Sequence, residues 1–152
     1  MPAIAFICTA NRCRSVIAHA IFQAEAKKRG LNVQVYSAGV FDFRDAPPID
    51  DTTRACLKHG TPAPDKSPTW VAELPLDSIT RFFVMEQFHA DALVHEFGVD
   101  ADRISLLGEY DPNGMGAEVA DPFSQGDRVF DKSYQRISAC IRNYLDTSDE
   151  LT

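Results

Sequence analysis

Two cysteines, two arginines and an asparagine fall within the nine residues ICTANRCRS at positions 7 to 15. Cys8 and Arg14 stand six positions apart, with Thr9, Ala10, Asn11, Arg12 and Cys13 between them. An apolar run precedes this turn and a helical pattern follows it. A helix amino terminus leaves N–H groups without intrahelical partners and carries partial positive charge, so a loop wrapped around it binds phosphate. Arg14 would close that loop, because a guanidinium holds two phosphoryl oxygens at once. The same donors favour a thiolate at Cys8, and no histidine base is then required. Thiolate attack on phosphorus gives a phosphocysteine and splits hydrolysis into two displacements. Ser15 would steady the sulfur as it becomes a leaving group. A bare C-x5-R spacing occurs often by chance, and it is the flanking strand and helix signals that give this one weight. The nucleotide-binding pattern G-x-x-x-x-G-K-[ST] is absent.

Expelling an alkoxide or phenolate needs a proton donor. Two Asp-Pro pairs compete for that role, Asp111-Pro112 and Asp121-Pro122. Asp121 is the stronger candidate, because Phe123 beside it could pack on an aromatic substrate.

These residues need a scaffold, and the hydrophobic pattern supplies one. Ala3 to Ile7 reads as a strand, and Ile17, Ala20, Ile21 and Ala24 recur at helical spacing before Gly30. Val33 to Tyr36 reads as a second strand, Asp51 to His59 as a short helix, and Ile79 to Met85 as a buried strand. A helix over Gln87 to Phe97, a fourth strand over Ile104 to Leu107, and a final amphipathic helix carrying Phe130, Tyr134, Ile137, Ile141 and Tyr144 complete the pattern. The segments 61–68 and 108–127 read as loops, and a loop as long as the second is usually functional. Alternating strands and helices predict an α/β fold: a three-layer, doubly wound sheet of four parallel strands with helices on both faces, in flavodoxin-like order. Ligands in such folds sit beyond the carboxyl ends of the strands, where the crowded turn lies.

The chain has 152 residues, 45% of them hydrophobic, which predicts one domain over 1–152. A net charge of -7 argues against nucleic acid as a partner, since phosphate backbones bind basic faces. The opening MPAIAFIC lacks the charged region of a signal peptide, and no apolar run reaches membrane-spanning length. A cytoplasmic protein acting without a membrane, as a monomer, is the expectation. Cys8, Cys13, Cys56 and Cys140 then read as thiols, the last two as helix packing residues. His19, His59, His89 and His95 show no metal-binding spacing and read as surface residues, so neither a metal nor a cofactor is expected.

CTANRCRS near the amino terminus, with ADPF before the last helix, resembles the low-molecular-weight protein tyrosine phosphatases over nearly the whole chain. The family pattern C-x-G-N-x-C-R-S, followed later by D-P-Y, falls on Cys8, Asn11, Cys13, Arg14, Ser15, Asp121 and Pro122. SAG at 37–39 and LLGEYDP at 106–112 add to the likeness. The resemblance implies Cys8 as nucleophile, Arg14 as phosphate clamp, and Asp121 as acid and then as base for water. It implies that Asn11 and Ser37 hold the loop by hydrogen bonds, and that Phe43 and Phe123 wall a cleft for a phosphotyrosine ring. It also implies that Cys13 can trap Cys8 in a reversible disulfide. Phosphotyrosine proteins and inorganic phosphate or similar oxyanions are the partners expected. Ala10 stands where the family has glycine, which would add strain if that position needs positive φ. Arg12 is unusual within the loop and reads as solvated, and Val16 replaces a frequent proline. Asp65 stands about where a histidine braces the asparagine, and is expected to accept a hydrogen bond from Asn11. Two other readings remain: a thioredoxin-coupled arsenate reductase, for which Cys56 and Cys140 are poorly placed, and an impaired phosphate-binding regulatory module.

Overall fold

The computed structural model describes residues 1–152. Strand β1 (Ala3–Cys8) pairs in parallel with β2 (Gln34–Gly39) on one side and β3 (Arg81–Val84) on the other, and β3 pairs with β4 (Ile104–Leu106). The order β2-β1-β3-β4 is the doubly wound arrangement expected from the alternating pattern. Each strand face is covered. Ile4, Phe6 and Cys8 point into a core shared with helices α1 (Arg14–Lys28), α2 (Asp50–Lys58) and α4 (Asp127–Thr147). Ala3, Ala5 and Ile7 point the other way, against Leu93 of helix α3 (Gln87–His95) and against Val71 and Ile79. Period-two alternation therefore survives in β1 although every residue of it is buried.

Helix α1 is hidden on more of its surface than its apolar spacing suggests. Arg14, Ser15, His19 and Glu25 are buried along with Ile17, Ile21 and Phe22. Its last turn carries Lys27 and Lys28, which suit the negative end of the helix dipole, and Gly30 leaves it at φ 67°. Helix α4 shows the clean stripe read from the sequence: Phe130, Tyr134, Ile137, Ile141 and Tyr144 are all buried.

Strand β2 runs three residues past its apolar start, through Ser37, Ala38 and Gly39. That extension brings the strand against the turn after β1. A Cβ on Gly39 would lie 2.7 Å from the Ala10 carbonyl carbon and 2.7 Å from the Thr9 oxygen, so only glycine lets strand and turn meet. Val40 N–H donates to the Cys8 carbonyl and Phe41 N–H to that of Thr9, which fastens the start of the turn to its neighbour. The sheet reverses order at β1, whose carboxyl end carries Cys8.

Candidate active site

The chain leaves β1 at Cys8 and enters α1 at Arg14, and none of the backbone N–H groups from Thr9 to Arg14 donates to an acceptor within the protein. A ring of unpaired donors at a helix amino terminus is a cup for an anion. Its curvature is set at Asn11, which takes the left-handed conformation at φ 56°, one that asparagine tolerates better than most residues. Ala10 is not in that region, so the strain expected of it does not arise; the demand falls one residue later.

Asn11 is buried, and its side chain fixes the floor of the cup. Its Oδ1 accepts from the Thr69 backbone N–H at 2.9 Å and from Lys66 Nζ at 2.5 Å. Both groups only donate, so the amide orientation is forced and Nδ2 donates onward to Ser15 Oγ at 2.8 Å. With that acceptor site filled, the Ser15 hydroxyl can send its proton to Cys8 Sγ, 2.9 Å away. The chain from Lys66 through Asn11 and Ser15 thus delivers positive polarisation to the sulfur. Two expectations are corrected here. Asp65 is exposed and does not touch Asn11; the neighbouring Lys66 turns its ammonium inward instead. Burial of that ammonium pulls its pKa down, while Cys8 opposes the shift. Ser37 bonds to His19 Nδ1 at 2.8 Å and not to Asn11, so it supports α1 against β2 rather than the loop directly.

Arg14 is 1% exposed. Its Nη1 donates to Glu86 Oε2 at 2.5 Å and to the Val119 carbonyl at 2.8 Å, and its Nη2 to Thr9 Oγ1 at 3.3 Å. Nε–H and one Nη2–H remain, which is the edge that grips two oxygens of a phosphoryl group. Asp121 Oδ2 lies 3.8 Å from Nη2, and its side chain is half exposed. Asp111 sits elsewhere: it is buried against Arg136 at 2.9 Å. Burial pushes the Asp111 carboxyl up, but the Asn113 N–H and the Arg136 guanidinium outweigh it and hold the pKa below its usual value. A carboxylate so committed is a loop anchor.

Cys8, Thr9, Ala10, Arg12, Cys13, Arg14, Phe43, Ile49, Asp121 and Phe123 line one cleft of about 220 Å³. Phe43 and Phe123 are exposed at its mouth. The side chains of Asn11 and Ser15 lie beneath the loop rather than in the cleft, so their work is on the sulfur and the backbone. Arg12 is not merely solvated: Nε and Nη2 donate to the Pro47 carbonyl at 3.1 and 2.9 Å, which pins its guanidinium beside the mouth. Cys13 is buried next to Cys8, and burial, with the Cys8 charge adding to it, pushes its thiol up to about 12. Cys56 and Cys140 are fully buried in α2 and α4, away from the cleft, which leaves no relay of redox thiols to Cys8. No group of side chains suited to a metal ion is present. A larger cavity of about 760 Å³ lies between α1 and α4, but no cysteine lines it.

Three contributors escaped the linear reading: Glu86, Lys66 and His89, the last of which bonds to the loop residue Thr9. Glu86 had a usable signal. It follows β3, the strand beside β1, so its place at the carboxyl edge of the sheet faces the loop. Lys66 lies in a proline-broken segment with no pattern to mark it. The expectation of surface histidines fails twice, because His19 and His89 are buried; burial pulls their pKa values down to about 4 and about 3. His59 is exposed, bonded to Asp131 and stacked on Tyr134, and His95 is exposed as well.

With this geometry in place, the family model for low molecular weight phosphotyrosine protein phosphatase matches residues 3–151. The chain belongs to that family. It is therefore a cysteine-dependent protein phosphatase. It is 30% identical to a protein-arginine-phosphatase of Bacillus subtilis, over 91% of both chains. It is 29% identical to low molecular weight protein-tyrosine phosphatase A of Mycobacterium tuberculosis, over 97% of this chain and 91% of that one. Among solved structures, the low molecular weight protein tyrosine phosphatase of T. tengcongensis superposes with a TM-score of 0.88 at 27% identity, over 97% of this chain and all of that one. The YwlE arginine phosphatase, solved with a phosphorylated active-site serine, superposes with a TM-score of 0.86 at 27% identity, over 99% of both chains. No helix of this phosphatase is long and apolar enough to cross a membrane.

Proposed function

We propose that this phosphatase hydrolyses phosphotyrosine in proteins through a phosphocysteine on Cys8, as a single cytoplasmic domain without metal or cofactor. One observation carries the reading: Cys8, the free edge of Arg14 and Asp121 converge on a cleft whose mouth is flanked by two phenyl rings. In the first displacement the Cys8 lone pair forms the S–P bond while the P–O bond to the phenol breaks, and Asp121 gives its proton to the departing oxygen. In the second, Asp121 takes a proton from water, whose oxygen attacks phosphorus, and the electron pair of the S–P bond returns to sulfur. Ser15 receives that charge through its hydroxyl. Arg14 and the loop amides hold the equatorial oxygens throughout, where charge gathers in the transition state.

The rings of Phe43 and Phe123 suit an aromatic leaving group. Arg12 discriminates further. A phosphoarginine would bring its own delocalised cation beside Arg12 and Arg14, whereas a tyrosine ring brings none. The likeness to an arginine phosphatase keeps that substrate as the second reading. Turnover of p-nitrophenyl phosphate should vanish in Cys8→Ser. Peptides carrying either phosphoresidue decide the substrate, and a higher kcat/KM for phosphoarginine would overturn the tyrosine assignment. NADPH-coupled arsenate reduction should be absent, and loss of all Cys8-dependent turnover in the parent protein would leave only a binding module.

A further inference from the structure

Thr9 lies in the cleft, directly after the nucleophile, with a hydrogen-bonding pattern that the catalytic steps above do not use. Its Oγ1 is 3.0 Å from His89 Nε2, and the other nitrogen of that ring, Nδ1, is 3.0 Å from the backbone N–H of Glu86. A backbone N–H only donates, so Nδ1 carries no proton. The ring proton is then on Nε2 and points at Thr9. Arg14 Nη2 also only donates, and it reaches the same hydroxyl oxygen at 3.3 Å. Two donors thus occupy the acceptor sites of Thr9 Oγ1, and the hydroxyl proton is left for the cleft. The ring is fully buried at the start of α3, one turn from Glu86, whose carboxylate holds the far side of the same guanidinium. Arg14 is therefore held at both ends by one short segment: Glu86 takes Nη1 directly, and His89 fixes Nη2 through Thr9.

We propose that Thr9 and His89 are positioning residues for Arg14, fixing the guanidinium so that its Nε–Nη2 edge meets the phosphoryl oxygens, while the Thr9 hydroxyl proton adds a side-chain donor to the cup. This rests on the assignment of Arg14 as phosphate clamp. His89 acts as a neutral donor, which its burial and the nearby Arg14 charge both enforce.

The test reads kcat/KM for p-nitrophenyl phosphate, the inhibition constant of vanadate, the rate of Cys8 alkylation by iodoacetamide, and melting temperature. Thr9→Val removes only the hydroxyl. It should lower kcat/KM and vanadate affinity together by about tenfold, the change expected for one hydrogen bond to a charged group. Alkylation of Cys8 should stay within about twofold, because the sulfur keeps Ser15. A merely structural role would instead move melting temperature and alkylation alike. Thr9→Ser should recover most of the loss. His89→Asn keeps an acceptor in place of Nδ1 but loses the reach of Nε2, and should lower both quantities in the same direction but by less than Thr9→Val, because the Thr9 hydroxyl remains; His89→Gln keeps that reach and should lose less again. The double variant Thr9→Val with His89→Asn should be no worse than Thr9→Val alone, since that substitution already cuts the link His89 acts through. Parental kcat/KM and vanadate affinity in Thr9→Val, or fully additive losses in the double variant, would overturn the inference. Cys8→Ser is measured alongside. If it is inactive while Thr9→Val is unaffected, the positioning role alone fails; if it is active, the thiolate mechanism fails.

Discussion

Lowering the pH from 7 to 5 should cost this phosphatase about 4 kcal/mol of stability, and two histidines account for it. His19 and His89 are buried and neutral, with pKa values lowered from 6.5 to about 4 and about 3. Their side chains bond to Ser37 and Thr9, and the positive charges of Lys66 and Arg14 add to the burial that keeps them unprotonated. A depressed pKa in the fold means that the unfolded chain binds the proton first. The stability these groups confer is complete above 6.5 and is lost as pH falls from 6.5 toward their folded values. At pH 5 each unfolded histidine is almost fully protonated and each folded one almost bare, which gives about 2 kcal/mol apiece relative to pH 7. The carboxylates with lowered values do not interfere in this window. Asp111 and Glu150 lose their contributions only below their unfolded values of 3.8 and 4.5. Urea unfolding followed by circular dichroism at half-unit steps should show about two protons taken up on unfolding at pH 5. The melting temperature should fall by roughly 8 to 16 °C over the same range, at about 2 to 4 °C per kcal/mol for a chain of this size. His19→Gln should remove about one of those protons. A stability that changes by less than about 1 kcal/mol between pH 7 and 5 would refute the burial argument.

Three other outcomes follow from the same geometry. Asp121→Asn should slow phenyl phosphate, a poor leaving group, by about a hundredfold and p-nitrophenyl phosphate by much less, read as kcat for the two esters. Lys66→Met leaves Asn11 Oδ1 with the Thr69 N–H alone, and should slow Cys8 alkylation at pH 6 by about tenfold while the fold persists. Hydrogen peroxide should inactivate the enzyme and a dithiol should restore it, whereas Cys13→Ser should lose that recovery. Burial, and after it the Cys8 charge, keep Cys13 protonated; oxidation of Cys8 to the sulfenic acid removes the second of these, and condensation of the Cys13 thiol with the sulfenic acid gives the disulfide and water.

The placement of residues is legible in the linear chain where they are local. Cys8, Arg14 and Ser15 belong to one turn, and a strand before and a helix after it are enough to place that turn at the sheet edge. Strand order follows from period and alternation, because burial on both faces leaves β1 and β3 few alternatives. The choice between Asp111 and Asp121 rested on a neighbouring phenylalanine; what separates the two in space is Arg136, which draws Asp111 into the protein. The linear reading fails for buried polar groups. His19 and His89 sit on helices whose spacing marks apolar residues, and a histidine at a buried position is indistinguishable from a solvated one until its partner is known. Asp65 and Lys66 are adjacent, and only the path of the loop between α2 and β3 decides which of them turns inward.

An acidic protein can hold a phosphate dianion here because donors, rather than surplus charge, do most of the holding. With Cys8 as the thiolate of the proposed mechanism, the charges of Arg12, Arg14 and Lys66 are matched by those of Glu86, Asp121 and Cys8, so the site is formally neutral before substrate arrives. Glu86 cancels much of the charge of Arg14 while fixing its plane, which trades long-range attraction for orientation. The unpaired amides from Thr9 to Arg14 carry partial charges already aimed at one point, and need no reorganisation when charge develops on phosphorus. In the mechanism proposed above, a proton on Asp121 during the first step would serve two ends: it would remove the one carboxylate in the cleft that repels the dianion, and supply the proton the leaving oxygen needs. Orientation and catalysis thus draw on the same groups, and the overall charge of -7 acts on the surface without setting the affinity of the cup.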